Sequence, residues 1–279
     1  MKKIIAAIDG LKYSTATRDY AVSLSKIMEA HLVGLFMDDT LYSSYNVYEL
    51  VVKKGLDEKK IRKYVQLDKD KRDIAAADFK NVCEDKGLPF SIHHDRNIAI
   101  QELKHESIYA DLLIIDATET LTHYKEKLPT RFIRDILADA QCPVVIVPHK
   151  YEAIEKVILL YDGEPSSVQA IRMFSYLMPQ LGNTPIEVVT VKNNKATLHL
   201  PDNKLMKEFM KRHFPKAKYT VIKGTAENEI VTYLKQCSAG SLVVLGAYRR
   251  GTVSRWFKES MADILMKEVN LPLFIAHNV

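Results

Sequence analysis

The sequence has few of the residues that cross-link small extracellular domains or build zinc sites. Cys83, Cys142 and Cys237 are its three cysteines, and they lie far apart without a CxxC pair. Neither a disulfide framework nor a zinc knuckle is therefore expected, and we predict three buried, apolar thiols. The sequence also lacks an apolar run near the roughly 18 residues of a membrane span, and its start turns acidic too early for a signal peptide. We expect a cytoplasmic protein without a membrane span.

Neither sign of charge dominates the sequence. Residues 1–150 carry 23 Lys+Arg and 23 Asp+Glu, whereas residues 151–279 carry 17 and 12, so the net charge of +5 arises in the second half. Basic residues are scattered among acids and form no stripe with aromatic residues, so a nucleic-acid partner is not expected. Apolar residues make up 47% of the 279 residues, which is the balance of a globular chain of about two domains.

The chain contains two copies of one pattern. In each copy a first apolar run ends in Asp-Gly, at Asp9 and at Asp162, and is followed by hydroxyl-bearing residues and a helical periodicity. The matching segments are 3–10 with 156–163, 111–117 with 241–247, and 132–149 with 261–278. Internal repetition on this scale predicts two domains of one architecture, 1–150 and 151–279.

Apolar runs alternate with amphipathic segments within each copy. The runs are continuous rather than alternating, which is typical of strands covered on both faces of a parallel sheet. We therefore predict an α/β fold with two doubly wound, parallel, five-stranded sheets of flavodoxin-like layering. In the second copy we predict strands at 156–161, 185–191, 217–222, 241–245 and 272–276, and helices near 166–179, 202–213, 226–237 and 259–269.

The last strand of each copy leaves an apolar sheet edge that invites pairing. We predict that 143–147 meets 272–276 around a pseudo-twofold axis, as an intramolecular pseudo-dimer. The first copy is longer because of an insertion at 38–72, which contains Tyr42, Tyr45 and Tyr48 and becomes helical in pattern through about 86. Lid or interface packing is the favoured role of this insertion, and a cover over a small apolar or aromatic ligand is the alternative.

Together these features resemble the universal stress protein family in its tandem form, over nearly the whole chain except the insertion. The matching points are Asp9 and Asp162, Gly224 after the third strand of the second copy, Gly246 after its fourth, Thr130 and Ser260 before the last helices, and the terminal CPVVIVP and LPLFIAH segments. The resemblance implies a nucleotide α-hydrolase-like fold, and it implies that 143–147 and 272–276 pair in the antiparallel direction. It also implies a stress-response role, in a family with both nucleotide-binding and non-binding members.

ATP-binding members are implied to use G-x2-G-x9-G-[ST] between the fourth strand and the last helix. Backbone N–H groups of such a loop approach the phosphates, and the helix N-terminus adds its positive dipole end. The acid that ends the first strand would accept from the nucleoside. In the first copy this pattern is degenerate, with Asp116, Glu119 and Pro129 at the glycine positions and Thr130 retained, so no ATP is expected there.

The second copy retains more of the pattern. Gly246 and Ser260 are kept, Arg249 and Glu259 replace the other glycines, and Arg250 and Arg255 add phosphate-binding capacity. The residues of this expected nucleotide site are Asp162, Gly163, Gly224, Gly246, Arg249, Arg250, Gly251 and Ser260. ATP is the candidate ligand of the second copy; in the alternative interpretation, these arginines pair with nearby acids or stay solvated.

Other chemistry finds little support. His93 and His94 are neighbours on a predicted strand and point to opposite faces, so we expect no metal site. The sequence has no G-x-S-x-G, Walker A or H-E-x-x-H motif, and enzymatic turnover is the minority interpretation. Trp256 and Phe257 are predicted to anchor their loop, with contact to an unknown protein partner as the alternative. We expect a stress-response protein that binds a ligand or partner without turnover; a nucleotide sensor with weak ATPase activity and an apolar-ligand carrier are the alternatives.

Overall fold

The computed structural model describes residues 1–38, 43, 58–95, 98–193, 198–247 and 260–276. It divides into two compact units, Met1–Gln141 and Cys142–Val279. The domain boundary expected from the repeat, between residues 150 and 151, stays a prediction. Tyr42, Tyr45 and Tyr48 of the insertion, and Trp256 and Phe257, lie outside the described residues.

The first unit is an α/β unit with parallel strands in the order β3-β2-β1-β4. In chain order its elements are β1 (Lys3–Ile8), α1 (Thr15–Met28), β2 (His31–Met37), α2 (Glu58–Asp85), β3 (Phe90–Asp95), α3 (Ala99–Ser107), β4 (Leu112–Asp116) and α4 (Arg131–Asp139).

The second unit has the strand order β5-β10-β9-β6-β7-β8. In chain order its elements are β5 (Val144–Val147), β6 (Lys156–Leu160), α5 (Pro165–Leu177), a 3-10 turn (Pro179–Asn183), β7 (Ile186–Lys192), α6 (Asn203–His213), β8 (Lys218–Lys223), α7 (Ala226–Lys235), β9 (Ser241–Gly246), α8 (Met261–Glu268) and β10 (Leu273–Ala276).

The predicted strands form because both of their faces are covered. Every residue of β4, β5 and β10 is buried, as continuous apolar runs require. The predicted α/β class is confirmed. The described residues form ten mostly parallel strands, four in the first unit and six in the second. The strands and helices predicted for the second copy agree with the structure to within three residues at each described end. The pseudo-twofold relation of the copies stays a prediction.

The predicted antiparallel pair of terminal strands is confirmed. Val144, Val145 and Ile146 of β5 lie opposite Ile275, Phe274 and Leu273 of β10, and all six residues belong to the second unit. On its other side β10 runs parallel to β9. Both sides of β10 are therefore hydrogen-bonded, which removes the exposed apolar edge that a terminal strand would otherwise present.

Helix α2 continues the insertion and covers β2 of the first unit. The Phe79 ring is fully buried and would lie 2.6 Å from a Cβ at Gly34, so only glycine on β2 lets the helix approach this closely. Phe79 also meets Phe36 edge to face, with ring centroids 6.0 Å apart. Tyr13, just before α1, and Arg18 of α1 both donate to the Asp78 carboxylate and fix α2 in place.

The cysteines differ in burial. Cys83 and Cys142 are buried free thiols, as expected, and burial raises the pKa of Cys83 to about 11. Cys237 corrects the expectation of three buried thiols, since it lies half-buried in the turn after α7, where its Sγ donates to the Tyr233 carbonyl. Within the described part of the chain, no helix is long and apolar enough to cross a membrane.

Candidate functional site

A cleft opens at the carboxyl ends of β6, β7 and β9 in the second unit, where doubly wound sheets bind their ligands. Its volume is about 120 Å³. The walls are mainly apolar and include residues from three strands and two helices: Leu160, Val189, Val191, Ala226, Ile230, Leu245 and Met261. Polar groups come from Tyr161, Asp162, Ser167 and Gly246. We call this the strand-end cleft.

Asp162 supplies the carboxylate of the strand-end cleft. Its Oδ1 accepts from the Glu164 N–H at 2.9 Å and from the Ser167 hydroxyl at 2.7 Å, which fixes the loop into α5. Both of its hydrogen bonds within the described residues fall on Oδ1, so Oδ2 is available to accept from a ligand. The side chain is exposed, and an ionised carboxylate of this kind favours hydroxyl or amino donors over phosphate.

Gly246 lines the strand-end cleft, and its lack of a Cβ lets the neighbouring helix pack closely against it. A Cβ at this position would lie 2.3 Å from the Ser166 carbonyl oxygen and 2.8 Å from the Ser167 nitrogen. The first turn of α5 therefore rests directly on the end of β9. This close approach explains a glycine here without any phosphate, and it brings Ser167 and Asp162 to the cleft.

The other predicted residues of the second copy are spread around this end of the sheet. Ser260 caps α8 through a capping box with Asp263, next to Met261 of the cleft. Gly224 follows β8 with φ +145°, and Gly163 has φ +90°, so both need glycine for conformational reasons. Gly163 lines a different cleft. Arg249, Arg250 and Gly251, with Arg255 and Glu259, lie outside the described residues.

In the first copy Asp116 stands where Gly246 stands in the second. Its Oδ2 accepts from the Ser14 hydroxyl at 2.8 Å, and its Oδ1 accepts from the Thr118 N–H and hydroxyl at 2.8 and 2.7 Å. Ser14 in turn caps α1. The carboxylate is buried and accepts hydrogen bonds from its own loop and from the Ser14 cap of α1.

Glu119 turns its side chain back onto its own backbone. Its Oε1 accepts from the N–H groups of Thr120 and Leu121, both at 2.8 Å. Leu121 has φ +47°, and successive N–H groups in such a left-handed turn form a small anion-binding nest. Lys12 reaches the same loop, donating to the Thr120 hydroxyl at 3.2 Å and to the Thr122 carbonyl. The loop thus binds its own carboxylate.

Burial makes this carboxylate unusual. Glu119 is 7% exposed and Asp9, at the end of β1, is 2% exposed. Desolvation first, and the neighbouring Asp9 charge second, raise the pKa of Glu119 to about 7, although the N–H groups of Leu121 and Thr120 and the charge of Lys12 act in the opposite direction. Asp9 Oδ1 accepts from the Leu11 N–H at 2.7 Å. Nothing in the sequence indicates that the Asp9 and Glu119 carboxyls are buried next to each other.

Thr130 retains the capping role expected of the last motif position. Its hydroxyl accepts from the Ile133 N–H at 3.2 Å and donates to the Glu119 carbonyl, which ties α4 to the Glu119 loop. Pro129 precedes it after a cis peptide bond. All degenerate positions of the first copy therefore serve one internally satisfied loop.

The histidines form separate contacts. His93 Nδ1 lies 3.0 Å from Glu106 Oε1, whereas His94 Nδ1 lies 3.1 Å from Asp38 Oδ2. These two contacts involve different acids, which agrees with the opposite faces predicted for neighbouring strand residues. Among the residues that the structure describes, no group of three His, Cys, Asp or Glu side chains is placed to hold a metal ion.

Comparison with known proteins gives both a sequence relative and structural neighbours. No protein-family model matches the chain. A universal stress protein of Synechocystis sp. is 20% identical over 98% of this chain and 99% of its own length. The crystal structure of a universal stress protein from Archaeoglobus fulgidus matches with a TM-score of 0.71 at 14% identity, covering 99% of this chain and 98% of the other. A functionally unknown protein from Pseudomonas aeruginosa matches with a TM-score of 0.61 at 11% identity, over 99% of this chain and 92% of the other. The chain is thus similar to a universal stress protein over nearly its full length, and the likeness to the solved structures shows that it shares their fold.

Proposed function

We propose that the second copy binds a nucleoside or nucleotide through its base in the strand-end cleft, and that the protein acts as a stress-response protein through this bound state, without turnover. The observation that carries the proposal is an apolar cleft at the carboxyl ends of the strands with one carboxylate, Asp162, at its wall. A few convergent polar groups in an apolar cleft are the usual pattern of small-molecule sites.

The size of the cleft limits what enters it. About 120 Å³ is close to the cavity of about 150 Å³ that accepts a benzene ring in an engineered protein. A single aromatic ring therefore fits the cleft, and the rest of a purine nucleotide would extend beyond it. The sugar would lie beside Asp162, where a ribose hydroxyl can donate to Oδ2. Arg249 and Arg250 stay predicted phosphate ligands.

The first copy supports the restriction to one site. Its loop N–H groups at Thr120 and Leu121 are already used by the Glu119 carboxylate, and Asp116 is satisfied by Ser14 and Thr118. A phosphate at this loop would have to displace an internal anion and lie beside Asp9. We propose that the first copy binds no nucleotide.

Isothermal titration with adenosine, ATP and inorganic tripolyphosphate tests the proposal. We expect adenosine and ATP to bind the wild-type protein and tripolyphosphate alone to bind more weakly than either. Ala226→Phe, an exposed position on the cleft wall, should weaken adenosine by about tenfold or more, because the ring fills the space for the base. Asn228→Phe, exposed on the same helix outside the cleft, is the matched control and should leave adenosine binding unchanged.

Several outcomes would contradict the proposal. Absence of adenosine and ATP binding, or equal weakening by the two phenylalanine variants, would remove the strand-end cleft as the site. Binding of tripolyphosphate as tight as ATP would show recognition of phosphate without the base. The wild type could also release phosphate steadily from ATP, and Ala226→Phe could abolish this release. That result would show that the protein is an ATPase and does not act by binding alone.

A further inference from the structure

A second, larger cleft lies on the helical side of the second unit, between α5 and α6. Its volume is about 360 Å³, within the range of about 300 to 1,000 Å³ usual for ligand sites. Helix α5 contributes Pro165 and Val168 to its apolar lining, and α6 contributes Leu205, Met206 and Phe209. None of these residues lines the strand-end cleft. We call it the interhelical cleft.

A cation without a carboxylate partner lies in this apolar lining. Arg172 of α5 donates from Nη1 to the Gln169 amide oxygen at 3.0 Å, and its guanidinium carbon lies 6.0 Å from the centroid of the Phe209 ring. Among the described residues it forms no ion pair. The Gln169 bond and the aromatic ring orient the guanidinium, and its remaining N–H groups can bind a carboxylate through two parallel hydrogen bonds.

The aromatic wall beside Arg172 is itself fixed. His213 packs against Phe209 with ring centroids 4.4 Å apart, and its Nδ1 lies 2.9 Å from the Ser175 hydroxyl of α5. The floor is fixed as well, since the Tyr161 hydroxyl donates to the Pro201 carbonyl at 3.1 Å. The interhelical cleft therefore has walls that are formed before any ligand arrives, which lowers the entropic cost of binding.

Asp202, at the start of α6, is the acid among the described residues that line the interhelical cleft. Asp202 forms no ion pair with Arg172, so the two charges are more than 4.0 Å apart. Its place before the first turn of a helix suits a carboxylate, because the helix N-terminus carries the positive end of the dipole. Asp202 disfavours ligands with several negative charges but leaves room for a single carboxylate at Arg172.

From this arrangement we propose that the interhelical cleft binds a monoanionic carboxylate with an apolar aromatic body. The ring packs against Phe209 and Met206, and the carboxylate receives hydrogen bonds from Arg172. This site differs from the proposed base site in place and in chemistry, and it does not depend on the strand-end cleft being occupied.

The test compares 3-phenylpropanoate with 3-phenylpropanamide, which has the same shape without the charge, by saturation-transfer NMR and isothermal titration on the full chain. We expect the acid to bind with a dissociation constant of about 1 mM or lower and the amide at least about tenfold more weakly. Arg172→Gln should weaken the acid to the level of the amide. Arg172 is exposed, and an unchanged thermal midpoint will show that the variant is folded.

Arg212→Gln is the matched control, because it removes the same charge from α6. Arg212 is exposed and is not among the residues that line the cleft. This variant should bind the acid as the wild type does, and so should Ala226→Phe, which blocks only the strand-end cleft. Equal affinity for acid and amide, no binding of the acid at about 10 mM, or equal loss in both arginine variants would overturn the proposal. Loss of the acid in Ala226→Phe would assign it to the strand-end cleft instead.

Discussion

The buried Glu119 carboxyl predicts a stability that falls as pH rises toward neutrality. Its folded pKa, about 7, lies above the ordinary value of 4.5, so the folded state holds a proton that the unfolded state has lost in that interval. Stability from this group is fully present below about pH 4.5 and declines as pH rises to about 7. At about 1.4 kcal/mol per pKa unit, the decline is on the order of 3 kcal/mol.

Glu119→Gln removes the ionisation but keeps an amide oxygen that accepts from Thr120 and Leu121. We expect the variant to be as stable as the wild type near pH 4.5 and more stable by on the order of 3 kcal/mol at about pH 8. The assay is urea unfolding followed by circular dichroism at a series of pH values. The difference between variant and wild type cancels the contribution of carboxyls that do not interact with Glu119, such as Glu106, whose pKa is lowered by hydrogen bonds from Lys3 and His93 despite its partial burial.

Glu126→Gln is the control on the same loop. Glu126 is exposed and accepts from the Arg131 N–H at 2.7 Å, which the amide oxygen can also do. The Glu126→Gln variant should not gain stability over the wild type toward pH 8 as Glu119→Gln does, because Glu126 is exposed. If Glu119→Gln gains no stability toward pH 8 either, or if NMR shows Glu119 titrating near 4.5, then the carboxyl is better solvated than the structure indicates and the argument is wrong.

Two further predictions concern the second unit and are checked by thermal unfolding. Gly246→Ala should lower stability by about 1 to 3 kcal/mol, because its Cβ would overlap the Ser166 backbone, whereas Gly182→Ala, whose Cβ would meet Phe214 at an ordinary 3.4 Å, should change it far less. Ser260→Ala should cost about 1 kcal/mol through loss of the α8 cap, and Ser260→Thr should retain most of that stability; an alanine variant as stable as wild type would contradict the capping role.

The strands could be predicted because their signal is local and repeated. Each apolar run in 151–279 became a strand, and the two hydroxyl residues predicted before the last helices, Thr130 and Ser260, cap α4 and α8. The pairing of 143–147 with 272–276 followed from edge protection, and its antiparallel direction followed from the family resemblance. These features depend on a few neighbouring residues, so a single sequence is enough to show them.

The sites could be predicted only in part. Asp162 and Gly246 were predicted for one nucleotide site, and both line the strand-end cleft. The close packing of Gly246 on Ser166, however, depends on how a helix meets a strand. Glu119 was predicted only as a degenerate position of the phosphate loop, and its turn onto Leu121 depends on a left-handed backbone that nothing in the sequence marks. The interhelical cleft needs the packing of α5 on α6, so Arg172 and Phe209 gave no separate signal.

The Glu119 carboxylate already accepts from the N–H groups of its own loop, so a free anion has to compete with it for this position. A dissolved phosphate must arrive from bulk solution, whereas the carboxylate is tethered by its own side chain and is present at the N–H groups of Thr120 and Leu121 at a high effective concentration. Millimolar phosphate or sulfate should therefore leave this loop unchanged. The loop should instead be most sensitive to protonation of the Glu119 carboxylate, which removes the negative charge without moving the side chain.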